Sequence, residues 1–290
     1  MTHEKQFINY VLTLSCPNRP GIVAAISTQL YNANANIIES QQHDDSSGRF
    51  FMRVVFSLKN SSEIYAWLNS RLEALAQHFT MTWLLHNSTK KRKVLLMLSK
   101  FDHCLVDLLY RWRIGELNIE PTAIVSNYPK ENYSHIDLRN IPFFYLPIDS
   151  NNKSKQENEV WNIFRNTHTE LIILARYMQI LSAEFIKKIP GQCINIHHSF
   201  LPGFKGAKAY HQAFTRGVKL IGATAHYVTE ALDEGPIIEQ DVERVSHRDQ
   251  PEDLIRKGRD IEKRVLAKAI RYHSEDRVLL NGNKTVVFTD

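Results

Sequence analysis

The stretch INIHHSFLPGFKG, residues 194–206, carries the clearest pattern in the sequence. Its first residues alternate as they do in a β-strand, so Asn195 and His197 share one face while Ile194 and Ile196 share the other. A leucine-proline-glycine turn follows. The pattern predicts a buried strand that delivers a carboxamide and an imidazole to its carboxyl end, which is where open α/β sheets bind ligands.

The segments around this strand predict a mostly parallel sheet. Apolar runs at residues 94–99 and 171–175 are typical of strands that are buried on both faces. Strands at residues 220–229 and 237–245 precede a long helix and a terminal hairpin. This alternation of strands and helices predicts a Rossmann-like, doubly wound α/β domain over residues 94–290.

Residues 1–87 follow a different pattern, with short strands and two amphipathic helices in the order βαββαβ. That order predicts a ferredoxin-like fold, in which an antiparallel sheet carries both helices on one face. Residues 88–93 separate the two parts and include the basic run KKRK. Such a run is typical of a nucleic-acid patch or of a solvated linker. No aromatic or basic residues cluster around it, so we interpret it as a linker and expect no nucleic-acid partner.

The composition is that of a globular chain. It has 290 residues, 43% of them hydrophobic and 23% charged, which excludes collagen-like and largely disordered proteins. No apolar run approaches the roughly 18 residues of a membrane span, and the N-terminus lacks a secretory signal pattern, so we expect no membrane partner.

Cys16, Cys104 and Cys193 are odd in number and far apart, which indicates a reducing cytoplasm. The net charge of +5 suits an anionic small substrate.

Two interpretations of the polar residues stay open at this point. An amide such as Asn195 can stabilise an oxyanion and an imidazole such as His197 can move a proton, yet the pair could also only fix a turn. Asp233 lies in a constrained loop, where its carboxylate could orient His197, hold a water or simply be solvated. Adjacent histidines such as His197 and His198 face opposite sides of a strand, and there is no HExxH motif, so we expect no metal.

Several segments carry a family resemblance. Asn195, His197 and Asp233, with the TAHYV segment between them, resemble the catalytic trio of the enzymes that use 10-formyltetrahydrofolate. The segments HHSFLPGFKGAKAYHQAFTRGVKLIGATAHYVTEALDEGPIIEQDV, GRDIEKRVLAKA, SKFDHCLVDLL and GRFFMR resemble the formyltetrahydrofolate deformylase family over nearly the whole chain.

The resemblance implies a hydrolase of a linear amide C–N bond. Its reaction would convert 10-formyltetrahydrofolate and water to tetrahydrofolate and formate, supplying formate for purine synthesis and balancing the folate pools, with no cofactor and no metal. Two alternatives are formyl transfer to an amine such as glycinamide ribonucleotide, and a folate- or amino-acid-binding regulator. The related transferases carry a glycine-rich phosphate loop where this chain reads SKFDHC, residues 99–104, and this departure favours water as the acceptor.

The resemblance also implies a folate site. The segment ARYMQIL, residues 175–181, resembles the family's folate loop, whose backbone faces the pterin. The implied substrate-binding residues are Met178, Gln179, Leu181, His226, Thr229 and Glu230.

The N-terminal part resembles an ACT domain, a common amino-acid-sensing module. The resemblance implies an effector site in the segments CPNRPGI and NANII, with glycine or methionine as the effector. The same domain could instead serve only for oligomerisation, and we expect a homo-oligomer in either case. The implied effector-binding residues are Asn18, Arg19, Gly21, Ile22 and Asn36.

Overall fold

A computed structural model describes residues 7–149, 152–203 and 209–290, with Ala209 described by its backbone alone. The chain packs into two compact units. The first consists of Met1–Lys91, Glu275–Asn281 and Val286–Asp290, and the second of Arg92–Ser274 and Gly282–Thr285.

The first unit is built on a four-stranded antiparallel sheet with the order β2-β3-β1-β4. The predicted order βαββαβ is confirmed. Its elements are β1 (Phe7–Pro17), α1 (Ile22–Asn32), β2 (Asn36–Asp44), β3 (Arg49–Lys59), α2 (Ser62–Phe79) and β4 (Thr82–Asn87).

The core of this unit follows from the helical spacing of its apolar residues. In α1, Ile22, Ile26 and Leu30 recur every four residues and are all buried in the core of the unit. In α2, Leu68 and Leu72 have the same spacing and pack in the same core. Each such side chain contributes roughly 1.5–3 kcal/mol when it is fully buried.

The second unit contains a seven-stranded sheet with the order β11-β10-β9-β8-β5-β6-β7. The five strands from β9 to β7 run parallel, and β10 is antiparallel to both of its neighbours, so the mostly parallel sheet is confirmed. The sequence pattern did not predict α6. The elements are β5 (Arg92–Leu98), α3 (His103–Arg113), β6 (Ile119–Ser126), β7 (Phe143–Tyr145), α4 (Lys153–Asn166), β8 (Leu171–Leu174), α5 (Ala183–Ile186), β9 (Cys193–His197), α6 (Ala209–Arg216), β10 (Leu220–Tyr227), β11 (Ile237–Arg244) and α7 (Pro251–Ser274).

The C-terminal hairpin is confirmed as β12 (Val278–Asn281) and β13 (Lys284–Val287). Residues 275–281 and 286–290 pack in the first unit. The sequence pattern predicts a single domain boundary at residues 88–93 and therefore assigns these residues to the second domain. Their contacts explain this placement, because Leu279 and Phe288 share a buried cluster with Phe51. The Asp276 carboxylate also lies 2.8 Å from His86 Nδ1.

The three cysteines are buried free thiols. Along the described residues, no helix has both the length and the apolar content that crossing a bilayer would require.

Candidate active site

The sheet of the second unit brings Asn195 and His197 to its carboxyl edge. Both lie on β9, where Asn195 pairs with Leu174 of the parallel strand β8. On the other side, the antiparallel strand β10 pairs His226 with Asn195 and Thr224 with His197. The register therefore sets two histidines and one carboxamide beside each other on neighbouring strands.

Asp233 reaches this edge from the loop between β10 and β11. Its backbone has a φ of 56°, in the left-handed region that side chains with a Cβ rarely adopt. Two residues later, a Cβ at Gly235 would lie 1.8 Å from the carbonyl oxygen of Tyr227. Only glycine allows the loop to approach β10 so closely, so Gly235 fixes where the Asp233 carboxylate lies.

The polar groups form one continuous cluster. The Nδ1 atom of His197 lies 3.3 Å from Oδ1 of Asp233, and Nε2 of His226 lies 3.7 Å from the same oxygen. His226 Nδ1 is 2.9 Å from the carbonyl oxygen of Tyr227, which can only accept, so Nδ1 carries the proton. In the neutral ring Nε2 is then an acceptor, and Asn195 Nδ2 donates to it at 3.3 Å. The second N–H of the Asn195 amide remains for a substrate.

The charges in the cluster favour an ionised carboxylate. The contact with His197 holds the pKa of the half-buried Asp233 carboxyl well below its usual range. The carboxylate favours the tautomer of His197 that carries its proton on Nδ1. His197 Nε2 is buried and has no hydrogen-bond partner among the described residues, so its lone pair is available to a reactant.

Thr224 and Gln240 hold the turn that follows His197, and the sequence pattern did not single out these roles. The Thr224 hydroxyl accepts from Leu201 N at 3.0 Å and donates to the Ser199 carbonyl at 3.0 Å. Gln240 Nε2 donates to the same hydroxyl at 2.9 Å. The signal available in the sequence was the position of Thr224 on the same strand face as His226. The end of the INIHHSFLPGFKG segment, residues 204–206, lies outside the described residues.

A cavity of about 260 Å³ opens at this cluster. Leu181, Ile186, Val228 and Leu232 give it apolar walls suited to a flat aromatic ring. It brings together all of the residues that the sequence suggested for catalysis and substrate binding, namely Asn195, His197, Asp233, Met178, Gln179, Leu181, His226, Thr229 and Glu230.

The segment from residue 175 to residue 181 is anchored at its middle and just beyond its end. Ser99 Oγ accepts from Met178 N at 3.0 Å and donates to Asn127 Oδ1 at 2.7 Å. At the far end, Ser182 N donates to the buried carboxylate of Glu157 at 2.7 Å. These anchors hold the backbone along the cavity in one conformation.

Comparison with known proteins identifies both units. Residues 92–270 match the formyl transferase family model and residues 10–71 match the ACT domain model. The chain is 49% identical to the formyltetrahydrofolate deformylase of Synechocystis sp. over 284 residues, which cover 98% of this chain and 99% of that protein. The chain belongs to the formyltetrahydrofolate deformylase family.

Solved structures agree with this family assignment. The crystal structure of formyltetrahydrofolate deformylase from Burkholderia mallei is 48% identical, with a TM-score of 0.89 over 97% of this chain and all of that chain. Glycinamide ribonucleotide transformylase 1 from Symbiobacterium toebii is more distant, at 26% identity and a TM-score of 0.63 over 69% of this chain and 95% of that chain. The fold is thus an ACT domain followed by a formyltransferase domain, as the deformylase resemblance implied.

One further group in the formyltransferase domain has the spacing of a metal site. Ligand atoms of His103, Cys104 and Glu262 all lie within 4.8 Å of one another. The Arg176 guanidinium, whose Nε is 3.3 Å from Glu262, already supplies positive charge there. Burial, chiefly, raises the pKa of the Cys104 thiol well above its usual range, which keeps the sulfur protonated. These residues do not fit a metal ion.

The residues suggested for effector binding lie around the start of α1 and of β2. Gly21 has a φ of 93° and precedes α1, whose first residue, Ile22, is buried. Asn18 N donates to the Gly48 carbonyl at 2.8 Å, which ties the segment after β1 to the turn before β3. The side chains of Asn18 and Arg19 are exposed, as is Asn36 at the start of β2.

Proposed function

We propose that this chain hydrolyses 10-formyltetrahydrofolate to tetrahydrofolate and formate. The observation that carries the proposal is the cluster of Asn195, His197 and Asp233 in a single apolar-walled cavity beside an anchored loop. The 49% identity to a protein named for this activity supports it. We further propose that the reaction supplies formate for purine synthesis and balances the folate pools.

Asn195 stabilises the developing oxyanion. When water adds to the formyl carbon, the carbonyl oxygen becomes negatively charged, and the free N–H of the Asn195 amide donates to it. One such donor is worth about 10²–10³ in rate. The hydrogen bond from the same amide to His226 keeps the donor in place before the substrate arrives.

His197 transfers the proton. Its Nε2 lone pair takes a proton from the attacking water and then gives a proton to N10 of the folate as the carbon–nitrogen bond breaks. The product is formic acid, which loses its proton and becomes formate. The reaction therefore consumes one water and releases one proton. Asp233 stabilises the imidazolium that forms in between, because its carboxylate lies 3.3 Å from Nδ1. These proposed steps use only these side chains and water.

The start of α3 supports water rather than a phosphorylated amine as the acceptor. A phosphate binds well at a helix N-terminus only when free backbone amides can approach it. Here the residue before α3 is Asp102, whose carboxylate lies 2.6 Å from His135 Nε2. The preceding residue, Phe101, is an exposed aromatic. A bulky ring where a glycine would be needed leaves less room for a phosphate to approach the backbone amides at this position.

The test is to incubate the full chain with 10-formyltetrahydrofolate and quantify tetrahydrofolate and formate, with and without glycinamide ribonucleotide. Equal rates with stoichiometric formate support hydrolysis. Turnover that requires the amine would make the chain a transferase. Folate binding without turnover in either case would indicate a regulator.

We also propose that the ACT domain binds a small amino acid. The exposed polar groups of Asn18, Arg19 and Asn36 support this site. Calorimetric titration of the full chain with glycine and with methionine tests it, and heat with neither ligand would leave only the oligomerisation role.

We propose a homo-oligomer that forms through the ACT sheet. Strand β2 is one of the two outer strands of that sheet, and its Ile37 and Ile38 are 41% and 56% exposed. Light scattering on the native chain and on Ile38→Lys tests this, and a monomer in both cases would contradict it. The three buried thiols support the proposal that the protein works in a reducing cytoplasm.

A further inference from the structure

A second cavity adjoins the active site in the formyltransferase domain. It has a volume of about 220 Å³ and shares Arg176, Met178 and His198 with the cavity that holds the catalytic trio. A molecule that leaves the trio on this side therefore passes these three residues. The side chains that matter below are Phe101, His103, Arg176, His198, Arg259 and Glu262.

Arg176 has an unusual backbone for its residue type. Its φ is 68°, in the left-handed region that favours glycine, and its side chain is only 9% exposed. The Ser99 amide holds this backbone by donating to the Arg176 carbonyl at 3.1 Å. Because non-glycine residues persist in such a conformation only where the surroundings impose it, Arg176 is a strong candidate for a functional side chain.

The guanidinium of Arg176 is buried but has hydrogen-bonding capacity left. Its Nε lies 3.3 Å from Glu262 Oε2. Glu262 already accepts from the Tyr210 hydroxyl at 2.7 Å and lies 2.8 Å from His103 Nε2. Arg176 Nη1 has no hydrogen-bond partner among the described residues. A buried donor without a partner costs free energy. We therefore interpret Nη1 as the donor to a ligand that accepts hydrogen bonds.

The charges around the second cavity favour a small anion. Arg176 and Arg259 both lie over the ring of Phe101, with their Cζ atoms 6.0 Å and 5.5 Å from its centre. Glu262 supplies one negative charge against these two positive ones. Burial, followed by the closeness of Arg176 and His197, lowers the pKa of His198 to about 4, so this ring is neutral at pH 7. One positive charge therefore remains for an anion to neutralise.

We infer that Arg176 binds the formate product and that the second cavity is the path by which formate leaves. This inference rests on the proposed function, because formate arises only if water is the acceptor. A carboxylate matches the planar fork of a guanidinium, which donates two parallel N–H bonds to its two oxygens. The cavity is wider than formate, which suits a water-filled passage.

The test measures formate binding directly on the full chain and apart from turnover. The probe is ¹³C-labelled sodium formate, observed by NMR, with sodium chloride at equal ionic strength as the reference for non-specific screening. In Arg176→Gly, glycine suits the backbone conformation and the guanidinium is lost. We expect its Kd for formate to rise at least tenfold and the inhibition of turnover by formate to weaken in parallel.

Two further variants keep the test decisive. Arg176→Lys retains the charge beside Glu262 but lacks the planar fork, so it should bind formate several-fold more weakly. Its formate binding still tests the role of Arg176 if the glycine variant does not fold. Arg256→Gln is the matched control, since Arg256 is exposed on α7, pairs with Asp253 and lines neither cavity, and we expect less than a threefold change.

Three results would overturn the inference. The first is unchanged formate binding in a folded Arg176→Gly chain, and the second is an equal loss in Arg256→Gln, which would indicate a diffuse cationic surface. A native chain that releases formate from the folate yet binds none would also overturn it while leaving the hydrolase proposal intact. A chain that binds formate through Arg176 but turns over no folate would instead refute the proposed function.

Discussion

Replacing Asp233 by asparagine removes one negative charge and leaves the loop almost the same in shape. In the native chain the carboxylate lies 3.3 Å from His197 Nδ1. At an effective dielectric constant of about 20, a full charge on the imidazolium at that distance is stabilised by about 5 kcal/mol. Because each 1.36 kcal/mol is a factor of ten in rate, losing this term lowers kcat by about 10³–10⁴. The asparagine amide can also donate to Nδ1, which moves the His197 proton to the wrong nitrogen.

The assay is tetrahydrofolate release at saturating 10-formyltetrahydrofolate, with formate quantified in the same samples. Substrate binding is measured separately by fluorescence or calorimetry on the Asp233→Asn chain, and we expect its Kd to change by less than threefold. Asp260→Asn is the matched control, because Asp260 is an exposed carboxylate paired with Lys263 on α7. That variant should keep its turnover within twofold of the native chain.

A kcat within tenfold of the native value in Asp233→Asn would refute the charge argument. The pH profile provides a second check. Because the folded pKa of Asp233 is depressed, its carboxylate is ionised at neutral pH and loses its charge only when the pH falls below the usual aspartate range. The asparagine variant should therefore lose its activity evenly across the neutral range.

Three further changes test other parts of the site. Asn195→Ala removes the oxyanion donor, so single-turnover rates should fall about 10²–10³ with little change in substrate Kd, and a drop below tenfold would contradict that role. Gly235→Ala places a Cβ 1.8 Å from the Tyr227 carbonyl, so activity should fall at least a hundredfold and near-native activity would show that the loop tolerates the change. His198 is held neutral with a pKa of about 4, whereas the unfolded chain protonates it, so it should reduce stability by about 2 kcal/mol between pH 7 and pH 5. Urea unfolding of His198→Asn at both pH values should show a smaller pH dependence than that of the native chain, and an unchanged dependence would exclude His198 as the cause.

Apart from α6, the sequence was enough to predict the order of elements in both domains, because alternation and helical spacing are local signals. The sequence predicted the first and last residues of these elements less accurately. Apolar residues at helical spacing predict a helix over residues 62–77, but the helix continues to Phe79 and stops at Thr80, whose φ of 56° no local pattern indicates. The sequence likewise predicts a helix over residues 182–189, but it spans only Ala183–Ile186, since a proline and a glycine follow closely.

Parts of the site were equally hard to find from the sequence, because they depend on residues far apart in the chain. Asn195 and His197 lie on one strand and stood out by alternation alone. The anchor that Thr224 receives from Gln240 joins two strands, and only the antiparallel register brings them together. Arg176 stood in a segment that resembled a folate loop, and its pairing with Glu262 appears only when α7 packs in the fold.

The position of Arg176 bears on the choice between the two possible acceptors. Transfer of a formyl group to an amine gives a neutral amide, so no new negative charge must leave the site. Hydrolysis gives formate, and an anion that forms in an apolar-walled cavity is destabilised there unless a positive group compensates its charge. Arg176 has an unused N–H group, lines both cavities and is held in a left-handed backbone conformation, so it supplies this compensation where the two cavities meet. A guanidinium also binds the phosphate of a ribonucleotide amine, so formate binding by the native chain, and not the presence of Arg176 alone, decides between the two acceptors.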